Sequence, residues 1–448
     1  MRNKKTWAAL LLSIAVVLTA CGAGTQTEET TDGAIEQTDA GLAESSADNT
    51  ENEGENNGTS ADTAGTGEVM PGETVPVMET TYLTDDMYER ATQFLEGDLT
   101  RLAQAMRKAA SGEDVTVAVI GGSITEGYSS SGADTCYAAY FRDWWQERFP
   151  QTNVNYINAG IGGTPSYLGV HRVQEDVLDY TPDVVIVEFS VNDGNDAFYQ
   201  KSYDNLVRRI LKEEQQPAVM LLFTTQDNGT SAQENDSLVG FRYRLPMLSY
   251  GNAVLPAIEA GEFTWSDISP DSVHPNDRGH AIIGEILYRY LNDVYERLDE
   301  ISEEVAPFTE KAMTKESYQN AALYCADDIE PISLGSFEER QVNWYFPDNW
   351  YTEGGEEPLV FQVEASNIGL VYQRTTNGTY GQFDVYVDGV LVRTLDGNFR
   401  DGWGSAVEST EVYASDETAV HTLEIKKSPD STGDIFTLIG VLLSQYEG

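Results

Sequence analysis

Asp183-Val184-Val185-Ile186-Val187-Glu188-Phe189 is a continuous apolar run that reads as a strand buried on both faces. Ser190-Val191-Asn192-Asp193 follows it directly. Outward from this run, strand and helix patterns alternate. Upstream, residues 166–180 read as a helix and 154–157 as a strand. Residues 137–149 read as a helix with Tyr140, Phe141, Trp144 and Trp145 on one side, and 115–120 as another strand. Leu99, Leu102, Ala105 and Met106 give helical spacing over 98–110. Downstream, Leu206, Val207, Ile210 and Leu211 predict a helix over 203–214, and a strand follows over 218–223. A longer irregular region then leads to an amphipathic helix over 277–298. This alternation predicts an α/β domain, a parallel sheet with helices on both faces.

In such sheets, ligands bind beyond the carboxyl ends of the strands. Three short segments sit there: Gly121-Gly122-Ser123-Ile124-Thr125, Asn158-Ala159-Gly160-Ile161-Gly162-Gly163, and Ser190-Val191-Asn192-Asp193. A fourth, Asp271-Ser272-Val273-His274, precedes the last helix. Taken singly, each has a bland reading. Ser123 is placed to cap a helix, Asn192 to form an Asx turn, and His274 to cap the last helix from its loop. The glycine-rich segment could be a phosphate loop, but Pro165 stands where a dinucleotide fingerprint needs its last Gly.

Together, the four blocks resemble the SGNH (GDSL-like) hydrolase family over roughly 110–298. The family's four name residues map onto Ser123, Gly163, Asn192 and His274, and Asp271 matches its DxxH block. The resemblance implies a three-layer α/β/α, flavodoxin-like domain and ester hydrolysis without a cofactor. Ser123 would be the nucleophile, His274 its base, and Asp271 the acid that orients the imidazole. The backbone N–H groups of Ser123 and Gly163 and the side-chain amide of Asn192 would form the oxyanion hole. Two blocks depart from the usual pattern. Gly122 stands in place of the Asp of GDS-L, and Ser190 in place of the Gly of GxND. Both are supporting positions, and they bear on substrate preference more than on catalysis.

The remaining histidines read as structural. His280 lies on the last predicted helix, His171 on the helix between two strands, at the surface or in packing, and His421 at the start of a later strand. Glu126, Glu188, Asp193 and Arg172 read as solvated charges at the rim of the crevice. No His/Cys/carboxylate cluster has metal-ligand spacing. Cys136 and Cys325 stand in separate predicted domains and read as buried thiols, with a bridge between them the alternative.

From about 330 onward, the pattern changes to short strand-like runs at 360–364, 368–373, 382–387, 390–394, 421–426 and 436–442. Val387-Asp388-Gly389-Val390 reads as a hairpin turn. The spacing predicts an all-β sandwich or jelly roll over 330–448, after a connector at 301–329 and a hydrolase domain over 81–300. Trp344, Tyr345, Phe346, Trp350, Tyr351 and Trp403 are expected mostly in that domain's core, although aromatic faces also stack on sugar rings.

At the other end, Arg2, Lys4 and Lys5 precede an apolar stretch at 7–18 and then Leu18-Thr19-Ala20-Cys21. This resembles a bacterial lipoprotein signal: residues 1–20 would be removed and Cys21 lipidated, anchoring the protein to the extracellular face of a membrane. Residues 22–79 hold fourteen Asp or Glu and no Lys or Arg, so the span 21–80 is expected to be a disordered acidic tether. Over its 448 residues the chain carries a net charge of −47, which disfavours nucleic acid as a partner. The sequence does not set an oligomeric state. Exported SGNH enzymes with an added β-sandwich look like carbohydrate esterases, so the expected substrate is an acylated, mainly acetylated, polysaccharide or oligosaccharide. The alternatives are a lipase or lysophospholipase for longer acyl chains, and a carbohydrate-binding lipoprotein on an inactive scaffold.

Overall fold

The computed structural model describes residues 76–78, 81–400 and 404–446. The signal segment, Cys21, nearly all of the acidic tether and Trp403 lie outside the described residues.

Strands β1 (Val115–Gly121), β2 (Val154–Gly160), β3 (Val184–Glu188), β4 (Ala218–Phe223) and β5 (Met247–Ser249) form one parallel sheet. Their order is β2-β1-β3-β4-β5. The order reverses between β1 and β3, which opens a crevice at their carboxyl ends. Alternation along the strands divides the core in two. Val117, Val119, Ile186 and Met220 pack with α1 (Asp85–Ala91), α2 (Thr100–Ala110), α4 (Tyr137–Arg148), α8 (Tyr250–Glu259) and α10 (Asp277–Glu296). Ala118, Ile120, Val185, Val187 and Leu221 pack with α5 (Ser166–Asp176), α6 (Ala197–Leu211) and α7 (Gln233–Tyr243). Two one-turn helices complete the set, α3 (Ser123–Glu126) and α9 (Trp265–Ile268). All five residues of β3 are buried, and each of its four aliphatic side chains contributes about 1.5–3 kcal/mol. Cys136 belongs to the first apolar cluster and Cys325 to the second, so the sheet separates them.

The region read as irregular between β4 and α10 holds α7, β5, α8 and α9. Its signals are weak for identifiable reasons. Helix α7 is polar, β5 has three residues, and α8 carries Pro256 in its interior, where proline normally ends a helix. Helix α6 also starts earlier than its apolar spacing indicates, because the Asp196 carboxylate accepts from the Phe198 and Tyr199 amides and caps it.

The C-terminal strands are β6 (Ala322–Tyr324), β7 (Glu338–Gln341), β8 (Asp348–Thr352), β9 (Leu359–Thr375), β10 (Gln382–Val387), β11 (Val390–Asp396), β12 (Ser405–Lys427) and β13 (Phe436–Ser444). They form one antiparallel sheet in the order β11-β10-β12-β9-β13-β8-β7, with β6 added on β13. The runs at 360–364 and 368–373 are a single strand, and His421 lies well inside β12 rather than at a strand start. The β9–β12 ladder shifts register at Glu411/Tyr413 and at Ala414/Ala419, and such irregularities bend a long strand around a core. The Asp388-Gly389 turn has both φ angles positive, 53° and 78°, as a type I′ hairpin requires.

The two domains share apolar contacts. Val371, Val407, Ile439 and Leu442 join Tyr167, Leu168 and Val170 of α5 in one cluster. Leu370, Leu438 and Val441 face the other way, toward Trp350, Phe361 and Phe436. The connector is held to α6 by polar side chains: Arg209 donates to the Ala321 carbonyl, and Asp204 accepts from the Thr314 amide and hydroxyl. No helix among the described residues is long and apolar enough to cross a membrane, and no described cluster of His, Cys, Asp or Glu could hold a metal ion.

Candidate active site

Ser123 opens the one-turn helix that follows β1, and is 7% exposed. Its Oγ lies 2.9 Å from His274 Nε2. The other imidazole nitrogen, Nδ1, lies 2.8 Å from Asp271 Oδ2. Asp271 Oδ1 also accepts the His274 and Val273 amides, each at 2.7 Å, so the DxxH turn closes on its own carboxylate. Burial alone would raise the Asp271 carboxyl. The bonds from the His274 ring and from these amides outweigh it, and hold the carboxyl below its ordinary value. The Tyr128 ring tilts over the imidazole, with ring centroids 4.5 Å apart.

The two glycine-rich and Asn-containing blocks meet this line. Gly163 adopts φ 70°, a conformation that favours glycine, in the loop between β2 and α5. Its neighbour Gly162 faces Ser123: a β-carbon built there falls 3.8 Å from Ser123 Cβ. Asn192 stands on the tight turn after β3, where its amide and that of Asp193 both bond to the Phe189 carbonyl at 2.9 Å. Its carboxamide lies against Gly122, the residue before Ser123. The structure therefore brings Ser123, Gly163, Asn192, Asp271 and His274 to one rim, at the switch point between β1 and β3.

The residues read as solvated rim charges are mostly buried parts of its frame. Arg172 is 3% exposed and donates to the carbonyls of Ala159 at 2.7 Å and Gly121 at 3.0 Å, tying the ends of β2 and β1 together. Glu188 is fully buried and accepts the Thr125 and Thr224 hydroxyls at 3.1 and 2.6 Å. Asp193 accepts the Ser166 amide at 2.8 Å, which links the Asn192 turn to the helix that follows Gly163. Burial, reinforced by Glu188 and Asp196 nearby, pushes the Asp193 carboxyl up to about 8 against the pull of its Ser166 bonds. Ser190, which replaces a glycine, accepts the Thr224 amide at 2.7 Å and so joins β3 to β4.

His171 is buried, bonded to the Tyr167 carbonyl at 2.7 Å, and lowered to about 3 by burial. His280 is lowered to about 4 by burial and bridges the Tyr137 amide and the Tyr128 carbonyl. Both stay neutral and occupied away from Ser123.

Sequence reasoning missed one contribution from the second domain. Tyr345 donates to Glu126 Oε1 at 2.7 Å, and its hydroxyl lies 3.3 Å from a β-carbon built on Gly162. Burial and this bond push the phenol up to about 12, so it remains a donor. Phe346, Trp350 and Tyr351 are buried as expected of core aromatics, whereas Trp344 is 88% exposed beside Tyr345. The only signal in the sequence was the density of aromatics, which does not distinguish the two fates.

A serine hydroxyl, an imidazole and a carboxylate in hydrogen-bonded line at the switch point of a parallel sheet is the arrangement of a serine hydrolase. A model of the GDSL-like lipase/acylhydrolase family matches residues 119–282. The crystal structure of a two-domain esterase (CEX) active on acetylated mannans, co-crystallized with mannopentaose, is 31% identical and superposes with a TM-score of 0.74. The match covers 81% of this chain and 98% of that one, so it extends over both domains. Thioesterase 1/protease 1/lysophospholipase L1 of Escherichia coli (strain K12) is 23% identical over 184 residues, 39% of this chain and 83% of that protein. The chain belongs to the GDSL-like lipase/acylhydrolase family and is a carboxylic ester hydrolase.

Proposed function

We propose that the protein is an exported serine esterase that removes O-acetyl groups from an extracellular carbohydrate. The observation that carries this reading is the Ser123–His274–Asp271 line, with its 2.9 and 2.8 Å contacts. His274 Nε2 takes the Ser123 proton as Oγ attacks the ester carbonyl. The tetrahedral intermediate forms, and its oxyanion is held by the Ser123 and Gly163 backbone N–H groups and the Asn192 amide. Collapse breaks the bond to the sugar oxygen, which leaves with the proton from His274. Water then attacks the acetyl-enzyme by the same route, releasing acetate and restoring Ser123. Asp271 keeps the Nδ1 tautomer and stabilises the imidazolium at each step.

The carbohydrate part rests on two supports. The two-domain relative that matches over most of this chain is active on acetylated mannans. Trp344, one residue before the Tyr345 whose hydroxyl meets Glu126, exposes its indole, and a flat apolar face of that kind can stack on a sugar ring. The N-terminal signal with Cys21 supports a lipid-anchored location outside the cell.

Acetate release from acetylated mannooligosaccharides by fragment 80–448 and its Ser123→Ala variant tests the proposal. Release by the parent and none by the variant is expected. Turnover of long-chain acyl esters with no acetate release from the glycan would contradict the substrate assignment. Equal release by both proteins would contradict the serine mechanism.

A further inference from the structure

Gly122 replaces an acid in the family's first block, and its surroundings give a physical reason. Its φ of −92° lies outside the left-handed region that favours glycine. The demand for glycine comes from contact. A β-carbon built on Gly122 falls 2.1 Å from Asn192 Oδ1, 2.8 Å from Cγ and 3.2 Å from Nδ2, and these are its three nearest atoms. The carboxamide occupies the space a side chain would need.

Asn192 is otherwise lightly constrained at its tip. Oδ1 is buried and accepts no hydrogen bond, so no donor sets the orientation of the amide plane. The backbone beneath is fixed, through the Asn192 and Asp193 amides on the Phe189 carbonyl and the Asp193 carboxylate on Ser166. The side chain is thus a rigidly mounted group whose final placement depends on the shape of its neighbour.

We propose that Gly122 is a positioning residue: its missing side chain lets the Asn192 carboxamide lie against the Gly121–Ser123 turn and present its N–H to the oxyanion beside Ser123. Restoring the family's acid at this position would then impair the enzyme. The inference rests on the reading of Asn192 as an oxyanion donor given above.

A double-mutant cycle tests both. Gly122→Ala, Asn192→Ala and the combined variant are compared by kcat and KM on an aryl acetate, with thermal melting as a check on folding. Gly122→Ala is expected to lower kcat by about 10²–10³-fold, the usual loss for one oxyanion donor, with KM little changed. The combined variant is expected to be no slower than Asn192→Ala alone, because the methyl then has no carboxamide to displace. Affinity for a phenylboronic acid, measured on the folded fraction, should fall by a similar factor in either single variant. Wild-type kcat in Gly122→Ala, beside an impaired Asn192→Ala, overturns the inference and leaves the oxyanion reading standing. Losses that multiply in the combined variant also overturn it, since Gly122 would then act through another group. An Asn192→Ala variant with full activity overturns the oxyanion reading itself.

Discussion

Among the described residues, two histidine–carboxylate pairs have nearly the same build, one in each domain. His274 Nδ1 meets Asp271 Oδ2 at 2.8 Å, and His421 Nδ1 meets Asp388 Oδ2 at 2.7 Å. A tyrosine ring tilts at 55° over each imidazole with centroids 4.5 Å apart, Tyr128 in one case and Tyr413 in the other. The difference is at Nε2. In the first pair it faces the Ser123 hydroxyl, and in the second it is buried with no hydrogen-bond partner. The His421 pair pins the Asp388-Gly389 hairpin to β12, where Asp388 also accepts the Thr422 amide at 2.9 Å. A His–Asp pair alone is therefore structural. A nucleophile at a strand end turns the same pair into candidate chemistry.

The largest contrast should come from the groups facing Nε2. Ser123→Ala or His274→Ala is expected to lower kcat on an aryl acetate by about 10⁶-fold, as when a triad member is lost. His421→Ala should leave kcat unchanged and cost about 1–3 kcal/mol of stability, read by denaturant unfolding. The next contrast lies in the carboxylates. Asp271→Asn should lower kcat by about 10⁴-fold through the wrong imidazole tautomer. Asp388→Asn should not change kcat, and any effect should appear only in unfolding. If both pairs responded alike, the distinction drawn at Nε2 would collapse.

Smaller effects sharpen the contribution of the second domain. Trp344→Ala is expected to raise KM for an acetylated oligosaccharide about three- to tenfold, the worth of one aromatic contact, with a smaller change for an aryl acetate. Equal changes for both substrates would remove the sugar from that assignment.

The buried acids under the crevice set a pH dependence of stability. The Asp193 carboxyl is raised from 3.8 to about 8 by burial, so its stabilisation is complete below pH 3.8 and lost as pH rises through about 8. Glu188 and Asp236, also raised by burial, act in the same direction. Asp271 is depressed, and its contribution is lost instead as pH falls through its lowered value. The melting temperature should therefore decline between pH 3.8 and about 8, and Asp193→Asn should flatten that decline.

The site was legible because its residues sit in short blocks directly after apolar strands. Ser123, Asn192 and the 158–163 loop could be placed from β1, β3 and β2 alone, and Asp271 and His274 are three residues apart. What supports them was not legible. Arg172 and Glu188 look like rim charges in sequence, and only tertiary packing buries them among carbonyls and hydroxyls. Tyr345 reaches Glu126 from 219 residues away, and no local pattern carries that separation. The helices between β4 and α10 were missed because polar composition and an internal Pro256 mask their periodicity. In the second domain, alternation revealed antiparallel strands, but register shifts inside β12 hid its length.

The most direct test is reaction of the protein with an alkyl fluorophosphonate, which phosphonylates an activated serine, followed by intact mass and peptide mapping. A single adduct on Ser123, absent from Ser123→Ala and His274→Ala and retained in His421→Ala, is the predicted result. No adduct, or an adduct on another residue while esterase activity is lost, would contradict the account.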